Sequence, residues 1–280
     1  MIYKPPKRIV YQIPEFRVKA HQKLFSFLDQ NKAKIYQLMH DVFIGLDDLF
    51  DYDHISPEYY LRCKRIIHNS WDQRYIATKN ELEEKLTNLG KLVREEYTSG
   101  FSNGRILLCG LEDVFEAEFR NGERRGGILT KRDLDEINIR IGYLYALHII
   151  LLVWPELDQV KTEFLSLLYG PPAKFADNVV DLWEDLSLGL CNIPREEIDI
   201  VKELVKHENS FRIGRKSLEI PNWYVQRRLK EVGEMFQKAD FLAKSIYSEK
   251  ELNNPKMKAI RDFSIAWLKE AEMKLFKEKF

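Results

Sequence analysis

The sequence predicts an all-α protein, folded as a single-domain bundle of about ten helices. From about residue 17 onward, apolar residues recur at spacings of three and four, which is the helical period. The intervals between these segments contain proline, glycine and residues that favour helix ends. No stretch alternates apolar and polar residues, and no linker is long enough to divide the chain. We therefore expect an N-terminal arm at 1–16 and one all-α helical domain at 17–280.

The predicted helices are mostly separated by short segments that contain proline or glycine. Prolines at positions 5, 6 and 14 keep the arm extended, because proline fixes φ and disfavours helix in the preceding residue. Two apolar stripes occupy the chain from residue 17 to the Ser56-Pro57 boundary. The Gly170-Pro171-Pro172 stretch is expected to separate two helices. The later helices are predicted at 57–75, 79–98, 103–120, 131–153, 157–169, 172–188, 195–206, 221–247 and 255–278.

Composition narrows the class of protein. Lys plus Arg and Asp plus Glu both total 44, so the chain lacks the basic excess that typifies nucleic-acid binders. Three cysteines lie far apart without a CxxC pair, which favours buried thiols in a reducing compartment. The longest apolar stretch, 141–154, is too short to span a bilayer and contains His148, which favours a buried helix. We expect a cytoplasmic protein without a transmembrane segment; peripheral membrane contact and homodimer formation stay open.

The first cluster of acidic residues is Asp47-Asp48-Leu-Phe-Asp51. On a helix, Asp47 and Asp51 share one face because residues at i and i+4 lie one above the other. Three like charges this close repel one another unless a cation neutralises them. Mg²⁺ prefers oxygen ligands and commonly binds through carboxylates together with substrate phosphates. A solvated acidic helix end is the alternative interpretation.

The second cluster runs from Asp177 to Asp185 and forms an acidic ridge. Asp177, Asp181 and Asp185 fall at i, i+4 and i+8, on one side of a predicted helix. A solvated helix face normally interleaves Lys or Arg at this spacing, yet no basic residue occurs between Lys174 and Arg195. The spacing therefore favours a metal site. If two such helices face each other, their carboxylates can bridge Mg²⁺ around a diphosphate and assist its departure.

The two clusters together resemble the aspartate motifs of the class I isoprenoid synthases. The 47–51 segment resembles their first motif. Asp181-Leu-Trp-Glu184-Asp185, followed by Pro194, is similar to the D-x-x-E-D pattern of squalene and phytoene synthases. Asp177-Asn178-Val-Val-Asp181 also resembles the second motif of chain-elongating prenyl diphosphate synthases, with asparagine in place of one aspartate. The resemblance covers residues 35–200, and it implies an all-α bundle that binds Mg²⁺ and an allylic prenyl diphosphate.

The resemblance also implies roles for individual residues. Arg140 falls where chain-elongating enzymes carry a lysine that binds diphosphate, and Lys174 would be a second cation for this group. The implied catalytic residues are Asp47, Asp48, Asp51, Asp177 and Asp181. The implied metal ligands are Asp47, Asp48, Asp51, Asp177, Asn178, Asp181 and Asp185.

Several alternatives stay open at the level of sequence. Squalene/phytoene-type condensation fits the proportions of the chain, but terpene cyclisation and chain elongation share the same ionisation step. The basic residues that follow the second motif in condensing enzymes are replaced here by the 187–190 segment Ser-Leu-Gly-Leu. A non-catalytic helical subunit or scaffold with the same fold is therefore a second hypothesis. His40-Asp41, with His21, could also belong to a metal phosphohydrolase, and the 121–127 segment NGERRGG could contact phosphate.

Overall fold

A computed structural model describes residues 14–52, 56–74, 76–124, 127–187, 190–197, 220 and 222–277. Within these ranges the chain forms eleven α-helices and two short 3₁₀ turns, without a β-strand. The prediction of an all-α bundle of about ten helices is confirmed. Residues 1–13 of the predicted arm lie outside the described residues, and the first helix begins at Glu15.

The helices are named in chain order. They are α1 (Glu15–Phe25), α2 (Gln30–Tyr52), α3 (Pro57–Trp71), α4 (Glu81–Thr98), α5 (Gly104–Asn121), α6 (Lys131–Val153), α7 (Gln159–Val180), α8 (Leu182–Ser187), α9 (Asn222–Ile246), α10 (Glu249–Leu252) and α11 (Pro255–Lys277). The 3₁₀ turns are Gly122–Arg124 and Arg195–Glu197. Of the helix predicted at 195–206, residues 198–206 lie outside the described residues.

The predicted break at residues 170–172 is wrong, because α7 continues through both Pro171 and Pro172. Proline has a φ compatible with a helix but removes a backbone hydrogen bond, so tertiary packing must offset the loss. That packing comes from α6. A Cβ built on Gly142 of α6 would lie only 2.6 Å from the Gly170 carbonyl oxygen, so the two backbones are in direct contact. The helical backbone is interrupted at Asp181 instead, between α7 and α8.

Helices α2 and α4 run antiparallel. Asn31, near the start of α2, donates a hydrogen bond of 2.5 Å to Glu96 near the end of α4. Gly45, near the end of α2, lies against Leu82 at the start of α4. A five-residue connection then returns the chain into α5, which runs in the same direction as α2.

Helices α5, α6 and α7 continue the antiparallel order. The His148 ring on α6 contacts the Leu107 carbonyl near the start of α5, while Arg140 reaches Glu116 near its end. A short connection leads from α6 into α7. Consequently α2, α5 and α7 all run in one direction and terminate at one end of the bundle, which we call the carboxyl end. Both predicted acidic clusters lie on segments that reach this end.

A small apolar cluster, separate from the main core, packs against the segment that carries the acidic ridge. It joins Val180, Leu182 and Leu186 to Ile193 and Tyr224, all less than a tenth exposed. Burying each large side chain of this kind stabilises a fold by roughly 1.5–3 kcal/mol. The acidic segment is therefore anchored by its apolar residues.

Helix α6 is the one described helix that is long and apolar enough to cross a membrane by length and composition. In the structure, 56% of its most apolar stretch is buried within the protein. Core helices of soluble proteins pass the same test of length and composition.

Candidate functional site at the carboxyl end of the bundle

The first acidic cluster lies in the last turns of α2, as predicted from its spacing. Asp47, Asp48 and Asp51 belong to the helical backbone, but their side chains fall outside the described residues. Leu46, immediately before them, is buried in the main core. The described part of α2 therefore brings this cluster to the carboxyl end of the bundle.

The acidic ridge keeps its register across the interruption between α7 and α8. The Asp181 amide donates to the Asp177 carbonyl at 2.9 Å, and the Asp185 amide donates to the Asp181 carbonyl at 2.8 Å. The i, i+4, i+8 relationship is thus maintained in the backbone, even though Asp181 itself terminates α7. Asn178, predicted as a metal ligand, is a buried residue at 9% exposure.

Two lysines pair with the first two aspartates of the ridge. Lys174 donates a hydrogen bond of 2.8 Å to Asp177, three residues further along α7. Lys274, on α11, lies 3.9 Å from a carboxylate oxygen of Asp181 and donates to the Val180 carbonyl at 3.4 Å. The first two aspartates of the ridge therefore have cationic partners, although no basic residue lies between Lys174 and Arg195 in the sequence. Lys274 comes from a distant helix, which spacing along one helix cannot reveal.

The third aspartate is linked to an arginine through an amide. Asn192 donates to Asp185 with its Nδ2 and accepts from Arg124 with its Oδ1. Arg124 is 2% exposed, and its Nε also donates to the Asn121 carbonyl at 3.1 Å. Within the described ranges no carboxylate forms an ion pair with Arg124. The 121–127 segment singled out in the sequence therefore reaches the ridge through Arg124.

The middle aspartate carries an electrostatic penalty. Burial raises the pKa of Asp181 well above its ordinary value, and the neighbouring carboxylates of Asp177 and Asp185 raise it further. Lys274 and Lys174 lower this pKa, but the net shift is upward. The side chain is still 42% exposed, so solvent screens part of the repulsion. A divalent cation at this position would neutralise the remaining repulsion between the carboxylates.

A buried amide on α6 lies one turn from the contact with α7. Asn138 lies one turn before Gly142, and Lys174 lies one turn after Gly170, so both residues flank the backbone contact on the same side. Asn138 is 1% exposed. Both its amide oxygen and its amide nitrogen lack a hydrogen-bond partner among the described residues. Native structures rarely leave a buried amide in this state without a water or ligand to serve it.

Arg140, predicted to bind diphosphate, pairs with α5. Its guanidinium lies 3.3 Å from Glu116 and 3.6 Å from Asp113. It also lines an open surface groove of about 510 Å³ together with Tyr143 and Leu167. The structure thus brings Lys174, but not Arg140, into contact with the ridge.

The histidines of the alternative phosphohydrolase interpretation lie on α1 and in the middle of α2. His21 shares a hydrogen bond of 2.9 Å with the Tyr36 hydroxyl, and its ring centroid is 6.2 Å from that of His40. Asp41 accepts a hydrogen bond from Gln37. This group contributes two imidazoles and a phenol, beside an open groove of about 480 Å³.

In the described part of the chain, no three His, Cys, Asp or Glu side chains converge closely enough to hold a metal ion. In the ridge, each carboxylate is turned toward its own cation or amide. The donors themselves are carboxylate oxygens at helical spacing, which is the chemistry that Mg²⁺ prefers. The ridge therefore fits Mg²⁺ by donor type, and binding would require the aspartates to exchange their present partners.

The residues that contact the ridge or lie near it from other elements carry little signal in the sequence. Asn138 could have been noticed as an amide on the apolar face of α6, but Lys274 and Asn192 carry no local signal. No protein-family model matches the chain, and no curated protein or solved structure matches it. The functional assignment consequently depends on the residues at the carboxyl end.

Proposed function

We propose that the chain is a Mg²⁺-dependent isoprenoid synthase that ionises an allylic prenyl diphosphate, with squalene/phytoene-type condensation as its reaction. The observation that carries the proposal is the ridge of Asp177, Asp181 and Asp185. Burial and the like charges of Asp177 and Asp185 raise the pKa of its central carboxylate, and the ridge lies at the same end of the bundle as the cluster on α2. Terpene cyclisation and chain elongation start from the same ionisation and remain alternatives.

The proposed ligands of Mg²⁺ are the three ridge aspartates together with Asp47 and Asp51. When bound, Mg²⁺ neutralises the charge that develops on a departing diphosphate. The protein supplies the carboxylates that position it, and Lys174 supplies a cation for the phosphate oxygens. Asp48, Asn178 and Arg140 are retained as proposed contributors on the basis of the resemblance alone.

Aromatic residues between α2 and α6, of which Phe43 is buried, could stabilise an allylic cation. The rings of Phe43 and Tyr145 lie 4.3 Å apart, and the Tyr145 hydroxyl donates to Glu118 at 3.1 Å. Aromatic faces stabilise a carbocation, and a dry surrounding protects it from water. This cluster is one turn of α2 away from the first acidic cluster.

The test is an assay of diphosphate release from labelled geranyl, farnesyl and geranylgeranyl diphosphate, with and without Mg²⁺. We expect Mg²⁺-dependent release by the wild type and a loss of roughly 100-fold or more in Asp51→Asn and Asp181→Asn, because each removes a charged metal ligand. Asp262→Asn is the matched control, since Asp262 pairs with Lys23 on the surface. Release that survives both site substitutions would reject the site.

A second candidate is a non-catalytic helical subunit or scaffold. The observation that favours it is the pairing of Lys174 with Asp177 and of Lys274 with Asp181, which offsets part of the negative charge of the ridge without metal. This hypothesis predicts no Mg²⁺-dependent release from any prenyl diphosphate. The same assay therefore separates the two candidates.

A further inference from the structure

An exposed apolar patch crosses α6 and α7 on the outer surface of the bundle. On α7, Val160, Phe164 and Leu167 lie at i, i+4 and i+7 and therefore share one face. They are 58%, 44% and 48% exposed. On α6, Ile139 is 42% exposed, and it lines the groove of about 510 Å³ together with Tyr143 and Leu167. The groove joins the two helices into one surface, which we call the α6–α7 patch.

The patch is large enough to form an interface. At about 150–200 Å² for each large side chain, the four exposed fractions leave roughly 300–400 Å² of apolar surface. Patches of this size on a monomer are often functional, whereas single exposed hydrophobic residues are normal. A stable interface buries about 800 Å² per partner, of which somewhat more than half is apolar. The α6–α7 patch thus supplies most of the apolar area that one such interface needs.

The layout of the patch fits a second copy of the same chain. Helices α6 and α7 run antiparallel and meet at Gly142 and Gly170. Ile139 and Val160 therefore lie on opposite sides of Leu167, each about 10 Å away along the helix axes. A two-fold axis at Leu167 places the α7 part of the patch in each copy against the groove of the other copy, so that the same residues are used twice.

The charges around the groove favour the same arrangement. Arg132 lines the groove and forms no ion pair within the described ranges. Glu163, immediately before Phe164, also lacks an ion pair among the described residues and accepts a hydrogen bond of 3.2 Å from Gln159. Insertion of Phe164 into the groove of the second copy brings Glu163 to the end that carries Arg132, twice in a symmetric dimer. An anionic membrane is a poorer occupant, because Glu136 and Glu163 offset the basic residues that would attract it.

We propose that the chain forms a two-fold symmetric homodimer through the α6–α7 patch. Val160 and Phe164 of each copy pack into the groove of the other, and Glu163 pairs with Arg132 across the interface. The inference does not depend on the reaction proposed above, because none of these residues belongs to the proposed metal site.

The first test is sedimentation velocity of the full chain at concentrations of about 1–100 μM, where dimers of ordinary affinity dissociate. We expect a wild-type dimer, and a dissociation constant at least tenfold higher in Phe164→Ser, because a central aromatic side chain is removed from the interface. Phe241→Ser is the matched control, since Phe241 is 73% exposed on α9 and outside the patch. A monomeric wild type, or equal effects of the two substitutions, would overturn the proposal.

Charge reversal tests whether the second copy is the occupant. Glu163→Arg and Arg132→Glu each place like charges opposite one another at both ends of a symmetric interface, so each should weaken the dimer about tenfold. Mixing the two single variants restores opposite charges at both contacts and should yield a heterodimer of wild-type affinity. A mixture that dimerises no better than either variant alone contradicts the proposed pairing.

Sedimentation with vesicles of phosphatidylcholine and phosphatidylserine tests the membrane as the alternative occupant. We expect Phe164→Ser to leave the vesicle-bound fraction unchanged, because Phe164 packs against the second copy. A monomeric chain whose vesicle binding is lost in Phe164→Ser would overturn the homodimer and assign the patch to a membrane surface.

Discussion

Gly142 and Gly170 meet backbone to backbone where α6 crosses α7, and neither position has room for a side chain. A Cβ on Gly142 would lie 2.6 Å from the Gly170 carbonyl oxygen and 2.8 Å from the Cα of Pro171. These are backbone atoms, so no side-chain rotation can relieve the overlap. The contact fixes the spacing of the two helices on which Asn138 and Lys174 stand.

Gly142→Ala should therefore destabilise the protein by about 3 kcal/mol or more, since overpacking against backbone forces the helices apart. Gly233→Ala is the matched control. It is also a helical glycine, but a Cβ there meets nothing within 4 Å, and alanine should stabilise the helix by about 0.5–1 kcal/mol. Urea unfolding measures both changes, and equal effects in the two variants would contradict the packing argument.

His148 should make the fold sensitive to mild acid. Its ring lies 2.5 Å from the Leu144 carbonyl and 3.1 Å from the Leu107 carbonyl, fully buried. Burial lowers its pKa below the ordinary value of 6.5 despite the two carbonyls. The unfolded chain therefore takes up the proton first, so stability is retained above pH 6.5 and falls as the pH drops below it.

Urea unfolding at pH 7.5, 6.5 and 5.5 measures this effect. His148→Gln should flatten the decline between pH 6.5 and 5.5, because glutamine does not titrate. The control is His68→Gln, which replaces a largely exposed histidine beside Glu112. An undiminished decline in His148→Gln would show that another group is responsible.

Asp181→Asn should leave the protein slightly more stable at pH 7, by up to about 1 kcal/mol, since partial exposure screens the repulsion it removes. The raised pKa means that the folded wild type takes up a proton before the unfolded chain does. The wild type therefore gains stability as the pH falls through its folded-state pKa, and the advantage of the variant shrinks. Thermal unfolding across pH 5–8 measures the difference, and a variant less stable than wild type at pH 7 would contradict it.

Glu83 should be among the most sensitive positions outside the carboxyl end. It is fully buried at the start of α4, where it accepts from Arg62 at 2.7 and 2.8 Å and from the Lys79 amide at 2.6 Å. Arg62→Ala leaves this carboxylate without its charged partner and should cost about 3–5 kcal/mol. Lys85→Ala, which removes a surface pair with Glu81, should change the unfolding free energy by less than about 1 kcal/mol.

The helices were predictable where local signals decide their ends. Helix α6 was predicted at 131–153 and is found at Lys131–Val153, because Thr130 caps its first turn by accepting from the Asp133 amide. The continuity of α7 through Pro171 and Pro172 was not predictable, since it depends on a contact with α6. Tertiary packing here outweighs a local signal that normally ends a helix.

In the candidate site, too, the local spacing was predictable and the tertiary contacts were not. The i, i+4, i+8 order of the aspartates was predicted and is present in the backbone. The partners that decide its charge were not predicted, because Lys274 and Asn192 reach the ridge from other parts of the chain. Spacing along one helix reveals which residues share a face, but not what the fold places opposite them.

The interruption at Asp181 gives the two ends of the ridge different mechanical properties. Asp177 stands on a 22-residue helix that is locked against α6 through Gly170, whereas Asp185 stands on a helix of six residues. The short helix is held by Leu182 and Leu186 in the small apolar cluster, so the two ends of the ridge are positioned by different parts of the core. The distance between Asp177 and Asp185 therefore depends on the backbone conformation at Asp181, which lies between the two helices.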